Sequence, residues 1–242
     1  MRIPRVYIDK KLKPKSNVAL DKDTRNYLFK VLRLKENNKL TLFNSNGFDY
    51  PAKIKKTNKN FIIEILAKIK NNNASNLNIT ILQGIAKGSK MDLIVKKATE
   101  LGANKLVPLI TSRTIVKLNE DKAVKRQKHW QKIAISSSEQ CGRATILKIL
   151  KPIKLDKYLA ENTLNGSSFI LHPKASKDLF CYESNKNVTI LIGPEGGLSD
   201  FEADMAAVKN FKPLLLTNRI LRTETAAVVA LSQLDLLWRK YD

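Results

Sequence analysis

A glycine-rich turn with a carboxylate inside it is the first segment that could do chemistry. Residues 193–197 read Gly-Pro-Glu-Gly-Gly, follow an apolar stretch and precede Ser199. Glycine permits positive φ and leaves room for a ligand against the backbone. Glu195 would follow a strand, at the edge where open α/β sheets bind ligands. The same residues are also typical of a tight turn before a capped helix, so this segment alone is equally compatible with a turn and with a site.

A second segment places two arginines before a helix. Arg219 and Arg222 precede the Thr-Glu-Thr sequence of residues 223–225. Thr223 is predicted to cap the helix. Arg222 beside the helix N-terminus would concentrate positive potential for a phosphate or a developing anion. The alternative is a capped helix with an Arg–Glu pair on the surface.

Two further polar segments are candidates for ligand contact. Residues 136–143 end a predicted helix and bring an amide, a carboxylate and a guanidinium together, with Gln140 and Arg143 among them. The alternative is an ordinary helix end with a glycine cap, but so many polar groups favour a function. The basic loop that contains Lys87 and Lys90 fits either phosphate contact or simple solvation.

Several common catalytic signatures are absent from the sequence. It contains no GxGxxG after the first strand of its second part, no GxxxxGK[ST] and no GxSxG. His129 and His172 are not at metal-ligand spacing, and Cys141 and Cys181 form neither a CxxC pattern nor a disulfide framework. Triad hydrolysis and nucleoside-triphosphate chemistry are therefore weakly supported, and we predict no metal site.

The charge of the chain indicates a polyanionic partner. The 242 residues include 44 Lys and Arg against 22 Asp and Glu, a net charge of +22. Residues 1–72 carry +12 of this (18 basic against 6 acidic side chains), so the N-terminal third is predicted to contact RNA or DNA. The N-terminus lacks a signal-peptide core, and the apolar runs are too short to span a bilayer. We therefore expect a cytoplasmic protein.

Two patterns of secondary structure divide the chain. Residues 1–70 predict short strands with a hairpin turn at residues 44–47, and the polar residues 71–76 are the best linker candidate. An amphipathic helix is predicted over Asp23–Leu34, with four residues on one face: Tyr27, Leu28, Val31 and Leu34. From Leu77 onward strands and helices alternate, which predicts an α/β fold with a mostly parallel sheet between helices.

Local signals in the second part set several element boundaries. A helix is predicted over Met91–Leu101, ended by Gly102. Ser199-Asp200-Phe201-Glu202 predicts a capping box at the start of another helix. A strand over Pro213–Leu216 and a long final helix over Thr223–Lys240 complete the pattern.

Several motifs in register resemble one known family. They are Gly193–Gly197, Arg219–Ala226, Ser138–Gln140 with Arg143, and Lys97–Ala103, and the residues around Pro4 and Asn44 also fit. Together they resemble the RsmE-type methyltransferases of the SPOUT superfamily, which methylate N3 of a uridine in bacterial 16S ribosomal RNA. The resemblance extends over essentially the whole chain.

This resemblance implies a fold, a cofactor and an assembly. It implies a PUA-like RNA-binding β-barrel domain over residues 1–72 and a SPOUT methyltransferase domain with a C-terminal trefoil knot over residues 73–242. It further implies S-adenosylmethionine as the cofactor, 16S ribosomal RNA or the small ribosomal subunit as the partner, and a homodimer. Where relatives usually have Gly-Pro before the Arg-Ile-Leu-Arg run, this chain has Thr217-Asn218.

The resemblance also implies roles for individual residues. The catalytic candidates are Arg222, as the electrostatic group, Glu195, as a base or an orienting carboxylate, and Arg143. The predicted cofactor-binding residues are Leu171, His172, Ile192, Gly193, Gly197, Leu216, Thr217, Asn218, Ile220 and Leu221. The predicted RNA-binding residues are Arg5, Lys87, Lys90, Gln140, Arg143 and Arg219.

Two other functions stay open on the sequence alone. A methyltransferase of the same superfamily could act on another RNA base or on a ribose 2′-oxygen, which would need no anionic base. A non-catalytic ribosome-associated RNA-binding protein would fit the charge equally well, but it would not bind S-adenosylmethionine.

Overall fold

The chain folds as two units, which are described separately. A computed structural model describes residues 3–57, 60–73, 75–116, 119–172 and 175–239. The first unit consists of residues 1–74 with residues 138–146, and the second of residues 75–137 with residues 147–242. Residue 74 of the predicted linker lies outside the described residues, while Asn71 donates hydrogen bonds to Asp49 and to the Gly142 carbonyl within the first unit.

A largely antiparallel sheet forms the first unit. Its strands are β1 (Arg5–Tyr7), β2 (Asn17–Ala19), β3 (Lys39–Phe43), β4 (Phe48–Lys56), β5 (Phe61–Ile65) and β6 (Ile69–Lys70). They pair in the order β1-β3-β4-β5-β2 with β6 on β4, and only the β1–β3 pair is parallel among the described strands. The predicted hairpin turn joins β3 to β4, with positive φ at Ser45 (66°) and Gly47 (82°).

The predicted helix Asp23–Leu34 is shorter and wider at its end than its sequence pattern indicates. α1 (Lys22–Asn26) continues as a single π-helical turn over Tyr27–Val31. The Leu32 N–H reaches back five residues to the Tyr27 carbonyl, which rotates later side chains relative to an α-helix. Leu28 is consequently fully buried, whereas Val31 is 66% exposed, so the prediction of a buried Val31 was wrong.

A parallel sheet forms the centre of the second unit. Its strands are β7 (Asn78–Gly84), β8 (Lys105–Ile110), β9 (Lys148–Ile149), β10 (Ile153–Lys154), β11 (Ser167–Leu171), β12 (Asn187–Ile192) and β13 (Lys212–Leu214). The order is β10-β8-β7-β12-β11-β13 with β9 on β8, and the described pairs are all parallel. β13 ends at Leu214, so Leu215 and Leu216, predicted as strand, belong to the following loop.

Within the described ranges, five α-helices accompany this sheet: α2 (Lys90–Glu100), α3 (Glu120–Cys141), α4 (Leu155–Glu161), α5 (Asp200–Val208) and α6 (Thr223–Trp238). α4 and α5 pack together over one cluster of buried strand residues, and α2 packs against α6. Met91, Ile94, Val95 and Ala98 of α2 are buried as predicted, and Gly102 after it has a φ of 91°. None of the helices in the described ranges is long and apolar enough to cross a bilayer.

The starts of α5 and α6 differ from each other. The Ser199 and Glu202 side chains form the predicted capping box at α5. At α6 the N-cap is Arg222, without a side-chain cap, so the predicted capping role of Thr223 was wrong. The Thr223 hydroxyl instead donates a hydrogen bond to the Gly193 carbonyl, outside its own helix. Lys240, the predicted last helical residue, lies beyond the described part of the chain.

Candidate functional site

A cavity of about 1090 Å³ opens in the second unit, where β11, β12 and β13 end. These adjacent parallel strands place their following loops side by side, as at the ligand-binding edge of open α/β sheets. The cavity is lined by every residue predicted to bind cofactor: Leu171, His172, Ile192, Gly193, Gly197, Leu216, Thr217, Asn218, Ile220 and Leu221. Glu195, Arg222, Arg219 and Lys90 also line it, while Lys87 does not.

The glycine turn after β12 packs closely against neighbouring backbone. A Cβ atom on Gly84, at the end of β7, would lie 2.5 Å from the backbone N of Pro194. A Cβ atom on Gly193 would lie 2.9 Å from the carbonyl carbon of Gly197, whose own φ is +71°. These contacts leave no space for side chains, so the turn presents backbone to the cavity.

A buried hydrogen-bond chain ties this turn to the start of α6. The Thr223 hydroxyl donates to the Gly193 carbonyl at 2.7 Å and accepts from Gln83 Nε2 at 2.9 Å. Gln83 is fully buried in β7, and its Nε2 also donates to the Gly84 carbonyl. Gln83 belongs to none of the candidate motifs in the sequence. An amide side chain near the carboxyl end of the strand Asn78–Gly84 was the available signal.

Glu195 forms an ion pair at the rim of the cavity. Its Oε1 accepts from Lys90 Nζ at 3.0 Å and from the Lys87 N–H at 3.1 Å. Burial acts to raise the pKa of Glu195, but hydrogen bonds from its own N–H, from Lys90 and from the Lys87 N–H outweigh it and leave the pKa lowered. A carboxylate that holds its charge this firmly is a weak proton acceptor and a good anchor.

Arg222 and its neighbours form the exposed wall of the cavity. Arg222 is exposed at the N-cap of α6, so its charge lies beside the positive end of the helix dipole. Arg219 is also exposed, and Ile220 is 89% exposed. The lining therefore combines two exposed positive charges with an exposed apolar side chain.

The loop between β13 and α6 contains Thr217 and Asn218, where this chain departs from the family pattern. Neither Thr217 nor Asn218 is among the positive-φ residues, so the path does not require glycine there. Gln233 Nε2 of α6 donates to the Leu216 carbonyl at 3.0 Å. Within the described chain no hydrogen bond occupies the backbone groups of Thr217 or Asn218. These groups are available to a ligand.

Arg113 is a lining residue that the sequence analysis missed. It lies after β8, and its Nη1 donates to the Gly196 carbonyl at 2.9 Å. The preceding residue, Ser112, donates from its N–H (2.7 Å) and its hydroxyl (3.0 Å) to Glu202. Burial acts to raise the pKa of Glu202, but the bonds from Ser199 and Ser112 outweigh it and lower the pKa. A basic residue after a parallel strand was the signal that could have identified Arg113.

The remaining predicted site residues belong to the first unit. The Arg5 guanidinium forms two 2.8 Å hydrogen bonds with Asp49, donates to the Arg143 carbonyl, and has a side chain only 12% exposed. Arg143 itself is 7% exposed and donates to Thr145, and burial lowers its pKa. Direct contact of either guanidinium with RNA would require these groups to leave their present partners. Gln140 is exposed.

The carboxylate of Glu139, next to Gln140, is also hydrogen-bonded within the first unit. Its carboxylate accepts from the Tyr7 N–H at 2.9 Å and from the Tyr27 hydroxyl at 3.0 Å. Burial raises the pKa of Glu139 despite these bonds and the nearby Arg5. Burial together with the Glu139 charge raises the pKa of Tyr27 to about 12. The polar segment 136–143 is therefore largely occupied by internal bonds. Within the described ranges no group of His, Cys, Asp and Glu is arranged to hold a metal ion.

Comparison with known proteins assigns both parts of the chain. Residues 73–235 match the family model of an RNA methyltransferase domain, and residues 20–66 match that of an RNA methyltransferase PUA domain. The first match alone covers more than half of the chain. The chain belongs to this family of RNA methyltransferases. Its fold is accordingly an α/β methyltransferase fold preceded by a PUA-like domain.

Members of the family with similar sequences are named for ribosomal RNA. "Ribosomal RNA small subunit methyltransferase E" of Buchnera aphidicola is 35% identical over 239 residues, which covers 98% of this chain and 94% of that protein. The protein of the same name from Rickettsia conorii is 33% identical over 98% of this chain and 97% of its own length.

Two solved structures of relatives superpose over nearly the whole methyltransferase. A protein from Legionella pneumophila, described as a methyltransferase in complex with the bound cofactor SAM, gives a TM-score of 0.91 at 36% identity and 98% coverage of both chains. A ribosomal RNA small subunit methyltransferase E from Neisseria gonorrhoeae, bound to S-adenosyl methionine, gives a TM-score of 0.91 at 32% identity and complete coverage.

Proposed function

We propose that this methyltransferase transfers the methyl group of S-adenosylmethionine to N3 of a uridine in 16S ribosomal RNA. The observation that carries the proposal is the single cavity lined by all ten predicted cofactor residues together with Arg222. The two full-length relatives named for the small-subunit RNA support the substrate.

The residues of the cavity suit S-adenosylmethionine. The volume of about 1090 Å³ is at the upper end of the range for small-molecule sites. The close-packed glycine turn and the unbonded backbone of Thr217 and Asn218 offer N–H and C=O groups to polar parts of the ligand. The bound cofactor supplies an electrophilic methyl group. Leu171, Ile192 and Leu221 would hold the ligand's apolar parts.

Arg222 is the proposed electrostatic catalyst. The uracil N3–H is a weak acid and would lose its proton to solvent at the open cavity; N3 would then bond to the methyl carbon as the carbon–sulfur bond breaks and S-adenosylhomocysteine leaves. A guanidinium beside the helix N-terminus would stabilise the negative charge that develops on the base. Its exposure at the cavity wall leaves it able to reach a base that enters from solvent.

Of the two roles predicted for Glu195, we propose the orienting one. Its lowered pKa and its bonds to Lys90 and Lys87 support an anchor that holds the basic loop beside the cavity. Lys90, Lys87 and Arg219 are the proposed contacts to RNA phosphate, and Gln140 remains a proposed contact in the first unit. For Arg5 and Arg143 we propose internal structural roles instead, because Arg143 is buried, Arg5 is partly buried, and both guanidinium groups are hydrogen-bonded within the first unit.

The proposal includes the organisation of the enzyme. It comprises an RNA-binding domain over residues 1–72, a catalytic domain over residues 73–242 with a trefoil knot, a homodimer and a cytoplasmic location. Large exposed side chains on α5 and α6, among them Phe201 and Leu236, support a subunit interface in the second unit. The knot is proposed from the resemblance to the SPOUT superfamily.

Two measurements test the proposed function. Calorimetry with S-adenosylhomocysteine should detect one cofactor product bound per chain, and a non-catalytic RNA-binding protein would give no heat of binding. Small subunits from a deletion strain should then be methylated by the purified enzyme, and mass spectrometry of the digested 16S RNA should place the methyl group on N3 of uracil. A methyl group on a ribose 2′-oxygen or on another base would overturn the proposal.

A further inference from the structure

A second cavity, of about 440 Å³, opens in the first unit. It lies between the helical segment that contains α1 and the β4–β5 hairpin, and its lining residues are Arg25, Asn26, Phe29, Lys30, Lys56, Thr57, Asn60 and Phe61. None of the residues assigned above to cofactor or RNA belongs to it. Its volume is in the range of sites for small organic ligands.

Two aromatic rings form the apolar part of this cavity. The Phe29 and Phe61 centroids are 4.8 Å apart, with an angle of 43° between the planes. Both rings pack on the core of the first unit but remain partly exposed. A partly exposed aromatic pair offers a planar ligand a π-face on which to stack.

The charge of the lining is entirely positive. Arg25, Lys30 and Lys56 contribute three cations, and no Asp or Glu is among the described residues that line the cavity. Lys56 lies directly opposite Phe61 in the β4–β5 register, so cation and ring share one face of the sheet. The combination suits a ligand with a flat ring and an anionic group.

Lys56 of the cavity differs from the neighbouring lysines of β4 in having no carboxylate partner among the described residues. Lys53 and Lys55 are paired with Glu64, at 3.5 Å and 2.7 Å. Within the described residues Lys56 and Lys30 pair with no carboxylate. The hairpin thus neutralises two of its lysines and leaves the cation beside the aromatic rings uncompensated.

Polar groups complete the rim. Arg25 Nη2 donates to Asn60 Oδ1 at 3.1 Å, and the Thr57 hydroxyl donates to the Asn60 carbonyl at 2.7 Å. These bonds hold Asn60 in place with its amide N–H groups still available, and Asn26 supplies a second amide. Amides on a fixed rim can hydrogen-bond the edge of a nucleobase.

We infer that this cavity binds one nucleotide of single-stranded RNA, with the base stacked on Phe29 and Phe61 and the phosphate held by Lys30 and Lys56. The inference rests on the proposed function for the choice of RNA as the polyanion. Alternating aromatic and basic groups are how proteins hold single strands. The site would bind the RNA substrate at a nucleotide other than the one that is methylated.

Matched lysine variants of the full chain test the phosphate contact. Binding of a short fluorescent single-stranded RNA is measured by anisotropy over a range of salt concentrations. Lys56→Ala should weaken binding severalfold and reduce the slope of log affinity against log salt by about 0.7. Lys55→Ala removes the same charge from the same strand but should leave the slope unchanged. Equal effects of the two variants would overturn the inference.

Variants of Phe61 test stacking separately from packing. Phe61→Leu keeps an apolar side chain on the core but removes the π-face, and should weaken RNA binding about tenfold. Phe61→Tyr should bind RNA like the parent protein. Thermal unfolding identifies any variant that fails to fold, and ultraviolet crosslinking of the parent chain to RNA followed by peptide mass spectrometry should mark Phe61 or Phe29. Parent-like affinity of a folded Phe61→Leu variant would overturn the inference.

Failure of this inference can be distinguished from failure of the proposed function. S-adenosylhomocysteine binding and small-subunit methylation are measured on the same preparations. Full methylation, with RNA affinity equal in all variants, would reject the nucleotide site alone. Loss of RNA affinity in Lys56→Ala and Phe61→Leu without any methylation by the parent protein would reject the proposed function alone.

Discussion

The Thr223 hydroxyl donates a 2.7 Å hydrogen bond to the carbonyl of Gly193. This bond joins the first residue of α6 to the glycine turn after β12. The same hydroxyl accepts a hydrogen bond from the Gln83 side-chain amide. Arg222, the proposed electrostatic catalyst, immediately precedes Thr223. The glycine turn and the segment that carries Arg222 are therefore held in one hydrogen-bonded unit.

Replacement of Thr223 should remove the hydrogen bond between the glycine turn and the start of α6. Thr223→Val keeps the shape of the side chain but leaves the Gly193 carbonyl and the Gln83 amide without this partner. We expect the free energy of unfolding to fall by about 2 kcal/mol, and S-adenosylhomocysteine to bind severalfold more weakly. Urea denaturation and calorimetry measure the two effects. Thr223→Ser retains the hydroxyl and should behave like the parent; equal losses in both variants would contradict the role of the bond.

Arg222→Ala should reduce turnover without weakening cofactor binding. If Arg222 stabilises the uracil anion, kcat at saturating RNA should fall by about 100-fold or more. The exposed side chain adds little to stability, so the melting temperature should stay the same. Single-turnover methylation and calorimetry are the measurements.

Arg219→Ala is the matched control for Arg222→Ala. It removes the same charge from the same loop, and we expect it to weaken RNA binding while leaving kcat at saturating RNA unchanged. A full methylation rate in Arg222→Ala would show that another group stabilises the base.

Glu202 should make the second unit less stable in acid. Its folded-state pKa is lowered below the ordinary 4.5 by the bonds from Ser199 and Ser112, which outweigh burial. Its contribution to unfolding free energy is therefore complete above pH 4.5, declines as the pH falls below that value, and is lost once the pH passes the lowered pKa.

Glu202→Gln tests this pH dependence. The amide cannot accept all four of the bonds that Ser112 and Ser199 donate, so the variant should be less stable than the parent at neutral pH, and the difference should narrow in acid. Urea denaturation from neutral pH to below pH 4.5 measures this difference in unfolding free energy between the parent and the variant. Asp200→Asn, in the same helical turn, removes an exposed carboxylate and should show a much smaller difference. A stability difference between the parent and Glu202→Gln that is the same at all pH values would contradict the lowered pKa of Glu202.

Arg5 and Asp49 should behave as a structural pair. Arg5→Gln and Asp49→Asn should each lower the free energy of unfolding by about 1–3 kcal/mol, because each leaves a partly buried charge without its partner. The double variant should lose much less than the sum. Urea denaturation of the three variants measures the coupling. Weaker RNA binding by Arg5→Gln with unchanged stability would instead support the predicted RNA contact.

Local signals in the sequence were sufficient for much of the second unit. α2 (Lys90–Glu100) lies within one residue of the predicted bounds Met91–Leu101, and the capping box at Ser199 is present. Apolar runs, helical periodicity and caps act over a few residues, so they can be recognised along the chain. The loops that line the cavity were also identified, because strands of a parallel sheet end at the same edge.

Other features depended on residues distant in sequence. Val31 is exposed because a π-turn ends its helix, and Thr223 bonds to Gly193 rather than capping α6. Gln83 and Arg113 reach the site only because β7 neighbours β12, the strand that carries the glycine turn, and β8 lies on the other side of β7.

The sequence by itself determined which residue types could bind a cofactor and stabilise an anion, since those properties belong to the residues and to their local order. Only the tertiary structure decided which of them meet. Arg5 shows the difference: the family resemblance implies an RNA contact for it, and the structure pairs its guanidinium with Asp49, forty-four residues away, through two hydrogen bonds. Sequence position does not reveal such a partner, because the β3–β4 pairing and the parallel β1–β3 pairing bring the two residues together.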